Sequence, residues 1–316
     1  MRTKTVCAGY FFAQKWRCGV WKMVSAMSME ISTNAGNTFD GVSVMVTEAK
    51  SRICGRKRGK MVHKYMITAR MAVQGKTGGG ILYMLPDIVM KVVYLVPVMY
   101  IWRILAESGY EVEMSAVQLL SYTYVNALLT DMMIVNTYLS AWDYDTKSME
   151  MFTRPMSVFG QVISRTMGEW VPMLCLFSLP MFLAAPFLGI RILPKTLWVI
   201  PSLVLSVSLG FAFEFLFYCV TVRLRNISWL TYVIRSAVVS FFSGTVIPFK
   251  ILPFGMDRWM NYQPFGSMGG AFLSLYVGSA DALEVIPAQL FWNVVIWIAA
   301  VVWFRKSRER MVSFGG

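Results

Sequence analysis

The sequence predicts an all-α integral membrane protein, and three observations support that prediction. Apolar residues make up 56% of the 316-residue chain and charged residues only 15%, whereas a soluble domain holds about 45–50% and about 25%. The apolar residues gather in long runs that suit membrane helices. The basic residues, which give a net charge of +13, lie at the chain start and at the ends of those runs. This composition argues against an ordinary soluble enzyme and excludes a chain that is disordered throughout.

Six apolar runs predict six membrane helices of about 20–26 residues, enough at about 1.5 Å per residue to cross a hydrocarbon core of about 30 Å. They are Leu82–Leu105, Leu119–Ser140, Glu169–Ile190, Leu197–Val222, Trp229–Pro248 and Val285–Phe304. A shorter amphipathic helix over Val62–Gln74 is predicted to lie in the inner interface, with an apolar face formed by Val62, Tyr65, Met66, Ala69 and Val73. The run Gly78–Gly80 would then turn the chain into the first membrane helix.

The orientation follows from the distribution of Lys and Arg. With Met61–Gly80 placed inside, the inner segments hold 12 of these residues and the outer segments hold 5. The positive-inside rule then predicts a multi-pass protein of the plasma membrane with both termini in the cytoplasm. Because the positive charge is explained by this topology, we expect the lipid bilayer and not nucleic acid as its partner.

Residues 1–60 differ from the rest of the chain. They hold 11 Lys and Arg against 3 Asp and Glu, and no run in them is long enough to span a membrane. Two interpretations stay open. The segment is either a basic arm that lies on anionic lipid, or a disordered or non-functional extension ahead of a working domain at 61–316 that begins at Met61.

The residue types that carry most enzyme chemistry are scarce in this chain. The five cysteines show no metal-ligand spacing, and the only histidine is His63. We therefore expect no metal site and no catalytic residues. A membrane-embedded enzyme that acts on lipids stays an alternative, and it would need catalytic side chains clustered near an interface.

Charged residues inside predicted membrane helices are candidates for function, because a charge there is costly unless it is paired or hydrated. They are Asp87, Lys91, Asp131, Glu214 and Arg235. The i,i+4 spacing of Asp87 and Lys91 predicts that these two neutralise each other on one helix face. Two interpretations stay open for the set: a proton relay in a transporter, or structural pairs that join helices or border a polar cavity.

The segment Phe241–Gly278 is too apolar for an ordinary exterior loop, yet prolines and glycines interrupt it repeatedly. The interruptions are Gly244, Pro248, Pro253, Gly255, Pro264, Gly266, Gly269 and Gly270. Broken apolar backbone at membrane depth must be buried in protein or line a cavity. The sequence therefore predicts a re-entrant helical hairpin between the fifth and sixth helices, with two short interfacial helices as the alternative.

The inner segment Trp142–Arg165 mixes charge with amphipathic spacing and leads directly into the third predicted helix. Such a segment can lie on the inner membrane surface and dock a soluble partner. In that interpretation Met149, Met151 and Phe152 would enter a groove on the partner, with charged residues around them. The alternative is a solvated loop.

These two segments, in this order and within six helices, resemble the permease subunits of type-2 ABC exporters over about residues 61–310. The inner segment matches at Phe152-Thr153-Arg154-Pro155. After the fifth helix the matching elements are Ser243-Gly244, Ile247-Pro248, Leu252-Pro253 and Pro264-Phe265. No single element is specific to the family, and the resemblance lies in the ordered set.

The resemblance implies a permease that moves an apolar or amphipathic compound out of the cell. It implies a dimer, with a second copy or a sister permease, on a separate ATP-binding-cassette ATPase that binds ATP and Mg²⁺. The implied coupling residues are Asp143, Asp145, Lys147, Met149, Phe152, Arg154 and Pro155. The implied gate residues are Gly244, Pro248, Pro253, Pro264 and Phe265.

We expect no ATP hydrolysis by this chain itself. Gly75-Lys76-Thr77 matches only the last three positions of a phosphate loop, and Arg70 stands where the first glycine is required. The sequence leaves one other transport mechanism open, a channel or an ion-coupled secondary transporter that uses Asp87, Asp131 and Glu214.

Overall fold

The computed structural model describes residues 61–108, 114–137, 139, 148–224, 228–252 and 255–313. The chain divides into two units, Met1–His63 and Lys64–Gly316. The described residues lie almost entirely in the second unit. Within these ranges every regular element is helical, which confirms the all-α prediction.

The helices are numbered here in chain order, beginning with α1 at residues 61–77. The others are α2 (Leu85–Glu107), α3 (Ala116–Met133), α4 (Ser148–Thr153), α5 (Val158–Met173), α6 (Leu179–Ala184), α7 (Val199–Arg223), α8 (Ser228–Phe242), α9 (Met256–Tyr262), α10 (Pro264–Met268), α11 (Gly270–Val277) and α12 (Ala282–Ser313). A π-helical turn, Leu174–Ser178, joins α5 to α6. Pro180 removes one backbone donor just after that turn, and a proline inside a helix disturbs the regular bonding pattern.

Within the described residues, four helical stretches are long and apolar enough to cross a membrane. They are Leu82–Leu105, Val158–Leu188, Val199–Arg223 and Ala282–Ser307. They correspond to the first, third, fourth and sixth predicted membrane helices. Because these stretches are apolar and present apolar side chains at their surface, most of all in Leu82–Leu105, the chain is a membrane-embedded helical protein.

The other two predicted membrane helices are shorter than their apolar runs. The second ends at Met133 and not at Ser140, because the chain leaves the helix at Ile134. The fifth ends at Phe242 and not at Pro248. There the backbone turns at Gly244, whose φ of 73° is unfavourable for other residues.

Helix α7 lies at the centre of the bundle and packs against α3, α8, α10, α11 and α12. Its contact with α12 uses small and polar side chains. Gln289 donates to the Ser206 hydroxyl at 3.0 Å, and Trp297 donates to the Ser208 hydroxyl at 3.0 Å. Serines allow two helices to approach closely, and hydrogen bonds between helices add to that packing inside a membrane.

Helix α1 packs against α5 through part of its predicted apolar face. The Tyr65 hydroxyl lies 3.1 Å from the Ser157 hydroxyl, within hydrogen-bond distance. A Cβ atom at Gly168 would lie 2.2 Å from the Ala69 carbonyl oxygen, so the two backbones touch at this glycine. Met66 lies on the same predicted face but is 66% exposed. Helix α1 therefore packs against α5 along one edge of its apolar face and leaves other apolar residues exposed.

Candidate functional site

Lys91 on α2 and Asp131 on α3 form an ion pair with 2.6 Å between Nζ and Oδ2. The Lys91 ammonium also lies 5.4 Å from the centre of the Phe177 ring in the π-helical turn. A cation over an aromatic face is attracted by the ring quadrupole. The ion pair therefore joins α2 to α3, and the ring of Phe177 adds a contact to the chain between α5 and α6.

Asp87 does not pair with Lys91, although their i,i+4 spacing predicts such a pair. The Asp87 carboxylate is 55% exposed and lies 3.8 Å from Lys76 Nζ. The prediction is wrong because Lys91 has a closer partner across the helix interface. An exposed i,i+4 pair contributes only about 0.3–0.5 kcal/mol and does not compete with it.

Glu214 on α7 and Arg235 on α8 form a second ion pair, at 2.6 Å, and both side chains are buried. The other Glu214 oxygen accepts hydrogen bonds from the Thr137 amide at 3.0 Å and the Thr137 hydroxyl at 2.8 Å. Arg235 also donates to the Val135 carbonyl. The pair therefore joins two helices and satisfies backbone groups of the segment that follows α3.

That segment, residues 134–137, is non-helical backbone in which Val135 and Thr137 are buried. Non-helical backbone inside a membrane protein needs other partners for its polar groups. Glu214 and Arg235 supply them. Gly210 on α7 supplies the space, because a Cβ atom there would lie 2.7 Å from Val135 Cγ2 and 3.0 Å from the Met133 carbonyl oxygen.

A stripe of polar side chains runs along α3 with a spacing of four residues. Gln118 donates to the Val277 carbonyl at 3.5 Å, Tyr122 to the Gly244 carbonyl at 2.7 Å, and Asn126 to the Thr245 carbonyl at 2.7 Å. Thr130 continues the stripe by donating to the Asn126 side chain at 3.2 Å. The α3 stripe therefore binds free carbonyls of the broken segment that follows α8.

That broken segment, residues 243–278, is called the hairpin segment below. Its residues 266–276 are all buried. Helix α11 contacts α3, α7 and α12, and Gln289 on α12 donates to the Ser267 carbonyl at 2.9 Å. This part of the chain therefore lies among the other helices and is not a free exterior loop.

Phe249 and three glycines hold the hairpin segment together. The Phe249 side chain is 2% exposed. A Cβ atom would lie 2.6 Å from its ring at Gly244, 3.2 Å at Gly266 and 2.4 Å at Gly270. A side chain at any of these glycines would meet the ring. The three glycines therefore form a socket that leaves room for the Phe249 ring.

Four of the five implied gate residues fall within the described part of the chain. Gly244 and Pro248 are buried beside the end of α8, and Pro264 begins α10. Phe265 stacks on Phe213 of α7 with 4.5 Å between ring centres. The structure brings Gly244 and Phe265 into one packed region. Pro253 lies outside the described residues.

The implied coupling residues are divided between described and undescribed parts. Asp143, Asp145 and Lys147 lie outside the described residues, and Met149 belongs to α4 without a described side chain. The expectation that Met151 enters a partner's groove is wrong, because Met151 is buried in this chain's own core. Phe152 packs partly against the same core. Arg154 and Pro155 are exposed.

No protein-family model matches the chain, and no curated protein matches it either.

The α3 stripe, Thr137 and Gly210 were not predicted from the sequence. The stripe has a visible signal, because Gln118, Tyr122, Asn126 and Thr130 recur every four residues in an otherwise apolar run. Thr137 and Gly210 have no such signal. Among the described residues, no group of three or more His, Cys, Asp and Glu side chains could hold a metal ion.

The site as a whole consists of two interhelical ion pairs, one unwound segment and the hairpin segment, whose residues 266–276 are buried. Helix α3 connects them all, because it carries Asp131, donates to the hairpin segment and leads into the unwound segment. A movement of α3 would therefore displace Asp131, the contacts to the hairpin segment and the unwound segment together.

Proposed function

We propose that the chain is the membrane permease subunit of an ATP-binding-cassette exporter with a type-2 layout. The observation that carries the proposal is the burial of residues 266–276 among α3, α7 and α12. A broken apolar segment after the fifth helix is one element of the ordered set in which the family resemblance lies. The α3 stripe supports it, because it binds carbonyls at Gly244, Thr245 and Val277.

In this proposal α3 and α8 complete a set of six membrane helices with the four long apolar stretches. Helix α3 has 18 residues and α8 has 15, and each is followed by partly buried non-helical backbone. That backbone would lie at membrane depth, where protein contacts cover it. Both termini would face the cytoplasm of a cell whose plasma membrane holds the permease.

The proposed cargo is an apolar or amphipathic compound, such as a drug, an antibiotic, a peptide or a lipid. A permease of this class works as a dimer with a second copy or a sister chain. Helix α2 carries many exposed large apolar side chains, among them Met90, Val93 and Val96. Such a surface fits contact with lipid or with a second permease.

The energy would come from a separate ATPase that contacts the inner segment around α4. Arg154 and Pro155 are exposed there, directly before α5. Helix α4 packs against α5 and α12. A push on this short helix would therefore be passed to two helices of the bundle, which is what coupling to an ATPase requires.

The experiment is co-purification of the ATPase with variants of the exposed joint. We expect the tagged wild-type chain, taken from its own cells in mild detergent, to carry a vanadate-sensitive ATPase. Arg154→Glu should lose most of that ATPase while eluting as a folded species. Arg103→Glu is the matched control, because Arg103 is also an exposed arginine but lies near the end of α2, outside the coupling segment.

Two results would contradict the proposal. One is a wild-type chain that carries no ATP-hydrolysing subunit. The other is uptake of an amphipathic dye by inverted vesicles that depends on a proton gradient and not on ATP. The second result would favour the ion-coupled mechanism, which the buried contact between Glu214 and the unwound segment makes the next candidate.

A further inference from the structure

A cleft of about 700 Å³ lies between the start of α3, the loop after α6 and the end of α11. Its lining includes Val117 and Ser121 from α3, Arg191, Leu193 and Lys195 from the loop, and Tyr276 from α11. None of these residues belongs to the ion pairs, the unwound segment or the coupling segment.

Two cations line this cleft. Among the described residues, no carboxylate forms an ion pair with Arg191 or Lys195. Other cations behave differently, since Arg103 pairs with Glu107 at 3.3 Å and Lys250 with Asp257 at 3.7 Å. Two positive charges that line one cleft without a paired carboxylate favour an anion there.

The loop that carries the cations is fixed to α11. The Tyr276 hydroxyl donates to the Ile192 carbonyl, and the Tyr276 carbonyl accepts from the Lys195 amide at 3.3 Å. The side chain of Lys195 crosses Gly278, where a Cβ atom would lie 2.1 Å from Lys195 Cδ. The backbone of this loop and the stem of Lys195 are therefore held in place before any ligand arrives.

Ser121 gives an independent sign of a ligand. Its side chain is 4% exposed and lines the cleft, and its hydroxyl has no hydrogen-bond partner among the described residues. Buried polar groups are normally hydrogen-bonded, so an orphan hydroxyl beside an open cleft calls for a partner.

Apolar side chains stand at the same cleft. Val117 is 47% exposed and Leu193 is 81% exposed. We propose that the cleft binds a phosphate-bearing amphiphile, with the phosphate between Arg191 and Lys195 and an apolar chain along Val117 and Leu193. The Ser121 hydroxyl would donate to a phosphate or ester oxygen. This site does not depend on the ATPase or on the direction of transport.

The experiment measures binding to the purified full chain in dodecyl maltoside, a neutral detergent. The probes are lysophosphatidylglycerol, lysophosphatidylcholine and inorganic phosphate. We expect saturable binding of lysophosphatidylglycerol, and binding of lysophosphatidylcholine that is about tenfold weaker, because its choline brings a positive charge to the two cations. We expect no competition by millimolar phosphate. Competition by inorganic phosphate at the affinity of the lipid would overturn the assignment to an amphiphile.

Paired variants separate a binding role from a structural role. Ser121→Ala should weaken lysophosphatidylglycerol binding several-fold and leave the melting temperature unchanged, because the hydroxyl bonds to nothing within the described chain. Ser202→Ala is the matched control, since Ser202 is also buried with an orphan hydroxyl but does not line the cleft. We expect it to bind like wild type.

Removal of the cations tests the phosphate end. Arg191→Ala combined with Lys195→Ala should weaken lysophosphatidylglycerol binding by about tenfold or more. Arg103→Ala removes a charge outside the cleft and should have no effect. Wild-type affinity in both the double variant and Ser121→Ala, with each variant eluting as a folded species, would overturn the proposal.

Discussion

The Glu214 carboxylate on α7 lies 2.6 Å from the Arg235 guanidinium on α8, and the same two side chains bind the backbone of residues 135 and 137. One ion pair therefore performs two tasks. It neutralises two buried charges, and it replaces the helical hydrogen bonds that the chain loses after α3. The consequence is that each partner depends on the other and that the unwound segment depends on both.

The first prediction follows from that dependence. Glu214→Leu leaves the Arg235 charge buried without a counter-charge, which costs about 3–5 kcal/mol. Glu214→Leu with Arg235→Leu should recover part of this loss but not all, because the Thr137 amide and the Val135 carbonyl lose their partners. Thermal unfolding in detergent measures both. Equal losses in the single and double variants would show that the pair itself contributes nothing.

The second prediction concerns Lys91. A double-mutant cycle should find a coupling of about 0.5–3 kcal/mol between Lys91 and Asp131, because their side chains touch. The cycle between Lys91 and Asp87 should find a value near zero, since Asp87 faces outward toward Lys76. Exchange of the two charges, Lys91→Asp with Asp131→Lys, should restore stability lost in either single variant. A larger coupling to Asp87 would contradict the structure.

The third prediction uses two glycines with opposite surroundings. A Cβ atom at Gly266 would lie 1.8 Å from the Met260 carbonyl oxygen, so Gly266→Ala forces backbone to move. We expect it to lower the melting temperature strongly or to prevent folding. At Gly75 in α1 no atom lies within 4 Å. Gly75→Ala should be neutral or stabilising by up to about 1 kcal/mol, because alanine favours helix more than glycine does.

The fourth prediction is a labelling pattern along the hairpin segment. In a cysteine-free background, a cysteine at position 259 should react rapidly with a water-soluble maleimide, because Trp259 is 84% exposed. Cysteines at positions 268 and 274 should react slowly, since Met268 and Ser274 are buried. Urea-unfolded protein gives the fully labelled reference. Uniform rapid labelling at all three positions would mean that the hairpin segment is an exposed loop.

Long apolar helices were predictable from the sequence because they depend on local composition. The runs at Leu82–Leu105 and Leu197–Val222 appear as helices within a few residues of their predicted bounds. Glycine and proline interruptions likewise indicated that the chain after Phe242 is broken. A run of apolar residues is helical in a membrane because no water is present to satisfy free backbone groups. No partner segment needs to be known for that conclusion.

The tertiary structure alone decided which charged residues pair. Sequence spacing favours Asp87 with Lys91, but the neighbour that Lys91 meets is Asp131, forty positions away along the chain. Distance between helices depends on how they pack, and packing depends on residues such as Gly210 that look ordinary in the sequence.

The early end of α3 has the same origin. The residues after Met133 include apolar ones that would continue a helix, and only the contacts of Glu214, Arg235 and Gly210 make the unwound backbone stable. The amino-acid sequence by itself therefore determined the class of protein, a helical membrane protein, and the positions of its long apolar helices. The ion pairs, the unwound segment and the glycine socket were decided by tertiary contacts, because each needs side chains from helices that are distant in sequence.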